Sequence, residues 1–137
     1  MAIFHIACHG FKHAPSDQEL AARVKMLDAE FATKPFMENW IVGRYFGNPV
    51  DGFHDSACVQ FKDLDAYRTH MLDAHGQGDE AAMIRQHVAR IRAFDILTPD
   101  EPADTKEKII ELYKARWEKF PEVAEALREI NADLPYL

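Results

Sequence analysis

The sequence predicts an α+β fold in which two β-α-β halves follow one another and close a four-stranded antiparallel sheet with two helices on one face. Three observations predict it. Short runs alternate apolar and polar residues, helical spacing separates those runs, and Gly, Pro and Asp punctuate the gaps at Gly47-Asn48-Pro49, Asp51-Gly52 and Pro99. Two such halves with short connections pack most simply as one layer of helices on one sheet. The 137 residues, 47% hydrophobic and 28% charged, suffice for one ordinary core and not for two. The division expected is an α+β domain over 1–100 and a helical extension over 101–137.

The first strand alternates over 3–11, so His5, Ala7 and His9 share one face while Phe4, Ile6 and Cys8 share the other. Which face turns inward is open at this point. Ser16 and Glu19 form a capping box, and the helix they start carries Leu20, Val24, Leu27 and Phe31 before Pro35 ends it. Arg23 stands on the edge of that stripe, either reaching to the rim or pointing a guanidinium into a cavity. The second strand, 39–46, is rich in β-branched and aromatic residues. In the third, 53–61, Asp55, Ala57, Val59 and Phe61 share a face. Asp63 caps a helix with Leu64, Tyr67 and Met71 that loosens around His75-Gly76-Gln77-Gly78. From Asp79 a second helical stretch carries Met83, Ile84, His87, Val88 and Ile91, and a last strand spans 92–97. Beyond it, 105–120 reads as a charged amphipathic helix with Ile109, Leu112, Tyr113 and Trp117, and Pro121 opens another. Their apolar stripe must lie on this domain or on a partner.

Composition removes several functions. A net charge of -7 with scattered Lys and Arg argues against a nucleic-acid partner. Apolar runs are short and broken by charges, and the N-terminal residues lack a signal-peptide pattern, so no membrane association and a cytoplasmic location are expected. Cys8 and Cys58 sit in strand-like apolar surroundings and read as small buried hydrophobes. A Gly-rich nucleotide fingerprint, a P-loop and a G-x-S-x-G elbow are all missing. Metal is disfavoured by spacing. His5 and His9 are four strand steps apart, roughly 13 Å, and His70 and His75 point to different sides of a regular helix. No metal and no cofactor are expected.

The motifs F-H-I-A-C-H-G-F-K, G-F-H-D-S-A-C-V-Q-F, Y-R-T-H-x-x-x-A-H and R-A-F-D-I-L-T-P, with the order of elements, resemble the stress-responsive dimeric α+β barrel (Dabb) family over 1–100. The resemblance implies a ferredoxin-like unit whose sheet faces a second copy in a homodimer. Most family members have no assigned activity, but one plant polyketide cyclase uses His and Tyr side chains without a cofactor. On that likeness His75 matches the principal catalytic histidine, Tyr67 the helix tyrosine and His5 the first-strand histidine. His70 matches a histidine of the wider pattern, followed here by Met71-Leu72-Asp73 and two extra residues. Asp55 replaces a histidine, and Arg23 and Leu27 replace cavity aromatics, which implies a shorter, more polar pocket and a different substrate.

A neutral imidazole can take a proton from an acidic C–H or O–H while a phenol donates to the developing oxyanion. The expectation is a cofactor-independent lyase, cyclase or isomerase for a small aromatic or keto-type substrate. His75 serves as base, Tyr67 as proton donor and His5 as assistant, with His9, Arg23, Asp55 and His70 holding substrate. The alternative is a non-catalytic stress-responsive homodimer that assembles or binds a small ligand.

Overall fold

The computed structural model describes residues 1–73 and 79–137. Strands β1 (Ile3–Phe11), β2 (Asn39–Arg44), β3 (Asp55–Phe61) and β4 (Val88–Leu97) form one sheet in the order β2-β3-β1-β4, every neighbouring pair antiparallel. Helix α1 (Asp17–Ala32) connects β1 to β2. It begins as its sequence demands: Ser16 Oγ accepts the Glu19 N–H while the Glu19 carboxylate accepts the Ser16 N–H. Helix α2 (Leu64–Arg68), capped by the Asp63 carboxylate on the Ala66 N–H, runs into a π-helical turn over Thr69–Asp73, and α3 (Glu80–His87) leads to β4.

Boundaries differ from expectation in three places. Val88 and Ile91, which helical spacing placed on a helix, belong to β4: Val88 is already extended at φ -100° and ψ 128° and pairs with Phe11, while Ile91 pairs with His9. β-branched residues fit the pleated sheet better than a helix end, and packing against β1 decides the matter. Strand β2 stops at Arg44 rather than Phe46, whose ring is 99% exposed. Strand β3 starts at Asp55, two residues later than its alternation suggests.

The C-terminal helices α4 (Thr105–Lys119) and α5 (Pro121–Glu129) rest on this same domain. Thr105, Ile109, Leu112, Tyr113 and Trp117 recur every three to four residues and are buried, as are Val123, Ala124, Ala126 and Leu127 of α5. All but Thr105 join Ile3, Val59, Phe61, Tyr67, Met71 and Ile84 in one continuous core. The chain then returns to the outer edge of β4, where the Asp133 N–H donates to the Ile91 carbonyl at 2.9 Å and the Ala93 N–H to the Asp133 carbonyl at 3.0 Å. That pairing covers backbone groups a bare sheet edge would expose.

The sheet has two unlike faces. Even-numbered β1 residues look away from the helices, and there Ile6 lies between Cys58 and Phe94, Phe4 beside Ile96, and Ile41 beside Cys58. Ile41 is 75% exposed, Ile96 53% and Phe94 44%. Odd-numbered β1 residues face the helices and carry the imidazoles.

Candidate active site

Antiparallel partners directly opposite one another project from the same face of a sheet. Register therefore builds the site: His5 stands opposite Asp95 on β4, and His9 opposite Asp55 on β3. His5 Nδ1 lies 2.8 Å from Asp95 Oδ1. The other oxygen, Asp95 Oδ2, accepts the Tyr67 hydroxyl at 2.8 Å and the Tyr113 hydroxyl at 2.6 Å, the two phenol oxygens being 3.0 Å apart. His9 Nδ1 lies 2.8 Å from Asp55 Oδ1, and Arg23 Nε donates to Asp55 Oδ2. The Arg23 guanidinium also lies over the Phe11 ring, 4.7 Å from its centroid.

Both carboxyls are ionised at neutral pH. Burial raises the pKa of Asp95, but the hydrogen bond and charge of His5 and the two phenol donors outweigh it and hold the group below its ordinary value. Asp55 follows the same course, with burial outweighed by His9 and then by Arg23. An ionised carboxylate only accepts, so each imidazole donates its Nδ1–H, and Nε2 becomes the basic nitrogen of the neutral ring. Burial, followed by Tyr113 and the Asp95 carboxylate, pushes Tyr67 far above the ordinary phenol range, and burial with Asp95 does the same for Tyr113 against the opposing effects of Tyr67 and Arg116, so both stay protonated.

Between sheet and helices lies a cavity of about 210 Å³. His5, His9, Arg23 and His70 line it, together with Tyr113 and Arg116 from α4 and Glu80 from α3; Val59, Ile84, Ala93, Trp117 and Leu127 supply apolar wall. His5 is the more enclosed imidazole, its side chain 11% exposed against 24% for His9 and 28% for Arg23. His70, on the π-helical turn, is buried with its ring centroid 5.5 Å from that of His5 and 4.9 Å from that of Phe61. Asp55 lies beneath His9 and Arg23, 1% exposed. Tyr67 is wholly buried against Phe61 and reaches the site through Asp95. His75 lies outside the described residues. Among the described residues no group of three or more His, Cys, Asp or Glu is arranged to hold a metal ion, and no helix is long and apolar enough to cross a membrane.

Residue reasoning assigned no role to Asp95, Tyr113 or Arg116. Asp95 was within reach, because it shares a β4 face with Ala93 and would oppose His5 once β1 and β4 were paired in register. Tyr113 and Arg116 carried no such signal: three apart on a helix, they read as one core residue and one solvated charge.

No protein-family model matches the sequence, and no curated protein matches it at a significant level. Solved structures do match. Hydroxynitrile lyase from Passiflora edulis superposes with a TM-score of 0.54 at 16% identity, over 74% of this chain and 97% of its own. A dimeric ferredoxin-like protein of unknown function from Thermobifida fusca gives 0.55 at 16% identity, over 72% and 92%. The fold is ferredoxin-like. A Dabb family protein with a ferredoxin-like fold from Mesorhizobium loti is similar at a TM-score of 0.49 and 19% identity, over 71% of this chain and 96% of its own. About a quarter of the present ferredoxin-like chain lies outside each of these matches.

Proposed function

We propose that the cavity is the active site of a cofactor-independent lyase, cyclase or isomerase acting on a small aromatic or keto-type substrate. One observation carries this reading: two imidazoles on one strand face share a largely apolar cavity, each with Nδ1 on an ionised carboxylate. That arrangement fixes the tautomer whose Nε2 can accept a proton, and Asp95 stabilises the imidazolium that follows. His5 removes a proton either from a C–H next to a carbonyl, the electron pair moving to the carbonyl oxygen, or from the O–H of a cyanohydrin, the C–C bond to the nitrile breaking as the new carbonyl forms and cyanide leaves. His9 and Arg23, at the mouth, orient the substrate. Tyr67 acts one step back, holding Asp95 rather than touching substrate, and His70 packs beside the His5 ring. His75, matched to the principal catalytic histidine of olivetolic acid cyclase in the motif resemblance, is proposed as a further base. The similarity in fold to the hydroxynitrile lyase from Passiflora edulis makes cyanohydrins the first compounds to assay, followed by small keto acids and phenolic ketones.

The test is turnover of that panel by the wild type, His5→Ala and the control His13→Ala. Loss in His5→Ala with retention in His13→Ala supports the reading. Equal activity in all three sinks it.

A second reading, a non-catalytic homodimer, draws on the open face. Ile41, Phe94 and Ile96 form with Phe4 and Ile6 an apolar surface of the kind that a second copy covers. Dimerisation belongs to both readings. Sedimentation at micromolar concentration should give a dimer, and Phe94→Asp with Ile96→Asp should give a monomer.

A further inference from the structure

We propose that Arg116, supplied by α4, holds the carboxylate of a small single-ring anion in the cavity, so that the substrate is an arene carboxylate or a keto acid of similar size. The inference rests on reading the cavity as the substrate site and adds the charge its occupant carries.

Arg116 lines the cavity with His5 and Tyr113. A guanidinium has five N–H donors, yet among the described residues the acceptor Arg116 finds is the thioether of Met71, with Nη1 3.3 Å from Sδ. A thioether is a weak acceptor and carries no charge. Each cavity guanidinium lies over a ring, Arg23 over Phe11 and Arg116 over Trp117 at 5.1 Å, but among the described residues only Arg23 already donates to a carboxylate, Asp55. Glu80 lines the same cavity and attracts Arg116, but among the described residues no carboxylate is in ion-pair contact with it. Burial lowers the pKa of Arg116, the mark of a charge stripped of water without full replacement.

The ligand follows from what surrounds that charge. A planar guanidinium prefers a carboxylate, which it can bind with two parallel hydrogen bonds. Beyond its charged and polar side chains the cavity is walled by apolar ones, Val59, Ile84, Ala93 and Leu127 among them. An apolar cavity of about 150 Å³ accepts benzene. The 210 Å³ here leaves room for one ring and one polar substituent. Bound with its carboxylate on Arg116, such a ring lies in the cavity that His5 Nε2 serves.

Benzoate and benzamide have nearly the same shape and differ in charge, so calorimetric titration of each into the full-length protein separates charge from fit. Benzoate should bind about tenfold tighter or better, and Arg116→Met should weaken it by about tenfold to a hundredfold while benzamide changes little. Arg116→Lys should keep part of the preference, because charge survives without the fork. Three results overturn the proposal: no benzoate binding to the wild type at millimolar concentration, benzamide binding equally well, or a benzoate preference undiminished in Arg116→Met. Should Arg116→Met fail to fold by circular dichroism, the wild-type preference and its reduction in Arg116→Lys decide instead. A benzoate preference that depends on Arg116 with no turnover of any substrate upholds the anion site and removes the acid–base reading. Turnover of neutral substrates with no benzoate preference does the reverse.

Discussion

The two histidine–aspartate pairs use the same strand face and the same 2.8 Å contact, yet their carboxylates have different second partners. Asp95 is shared with two phenols, which donate hydrogen bonds but bring no charge. Asp55 is shared with a guanidinium, which neutralises it. When a proton arrives at Nε2, the new imidazolium on His5 therefore faces a net negative group, whereas that on His9 faces an ion pair already balanced. Because charges interact more strongly inside a protein than in water, the proposed chemistry assigns the base to the first arrangement and an orienting role to the second. Position reinforces the contrast, since His5 is deeper than His9. On the proposed reading, the same sequence device, a histidine opposite an aspartate, serves as a base in one place and an anchor in the other.

The largest effect expected is on turnover. His5→Ala should cost about 10²- to 10⁴-fold in kcat/KM, the usual range for a positioned acid or base, while His9→Ala should cost about tenfold and appear mainly in KM. Equal losses in kcat would erase the distinction between the pairs. Next comes the carboxylate itself. Asp95→Asn removes the charge that supports the His5 imidazolium, and kcat should fall by about a hundredfold, as expected where an orienting acid sets the tautomer. Asp55→Asn should leave kcat within about tenfold, because the charge lost there was already matched by Arg23.

Much of this comparison was legible in the residues, and the reason is periodicity. Alternation over 3–11 set His5 and His9 on one face, and alternation over the third strand set Asp55 with Ala57 and Val59, the face the helices cover. The capping box at Ser16, Pro35 beyond the other end and the Asp63 cap placed both ends of α1 and the start of α2 to within a few residues. What periodicity could not convey is which strand lies beside which. Asp95 becomes the partner of His5 only when β4 pairs with β1, and that non-local pairing depends on the whole sheet. The role of Tyr113 was hidden for a similar reason: a tyrosine in the apolar stripe of a C-terminal helix reads as core, and only the docking of α4 carries its hydroxyl to Asp95.

Acid should weaken both pairs. The folded-state pKa of each aspartate is depressed below the ordinary 3.8, so the unfolded chain binds more protons as pH falls through that value. The stabilisation is fully present above the unfolded value and is lost as pH drops through the lower folded one. Urea midpoints should therefore be flat for these groups from pH 7 to about 5 and decline below about 4. In the Asp55→Asn/Asp95→Asn double variant that acid limb should flatten, and an unchanged limb would assign it to other carboxyls.

The smallest effect expected lies in the phenol pair, and it bears on whether the C-terminal helices support the site. Tyr113→Phe removes one hydrogen bond to Asp95 Oδ2 while Tyr67 and His5 still hold the carboxylate, so stability should fall by only about 0.5–1.5 kcal/mol. Tyr67→Phe keeps its packing against Phe61 and should cost a similar amount for the same reason. Removing both leaves Asp95 Oδ2 without a described donor in a poorly hydrated place, and that penalty arises only in the double variant. The combined loss should exceed the sum of the single losses by about 1 kcal/mol or more, a coupling measurable by urea denaturation of the four proteins in the cycle. Additive losses would mean that water replaces the phenols at Asp95, and would weaken the case that a dry, charge-focused carboxylate distinguishes His5 from His9.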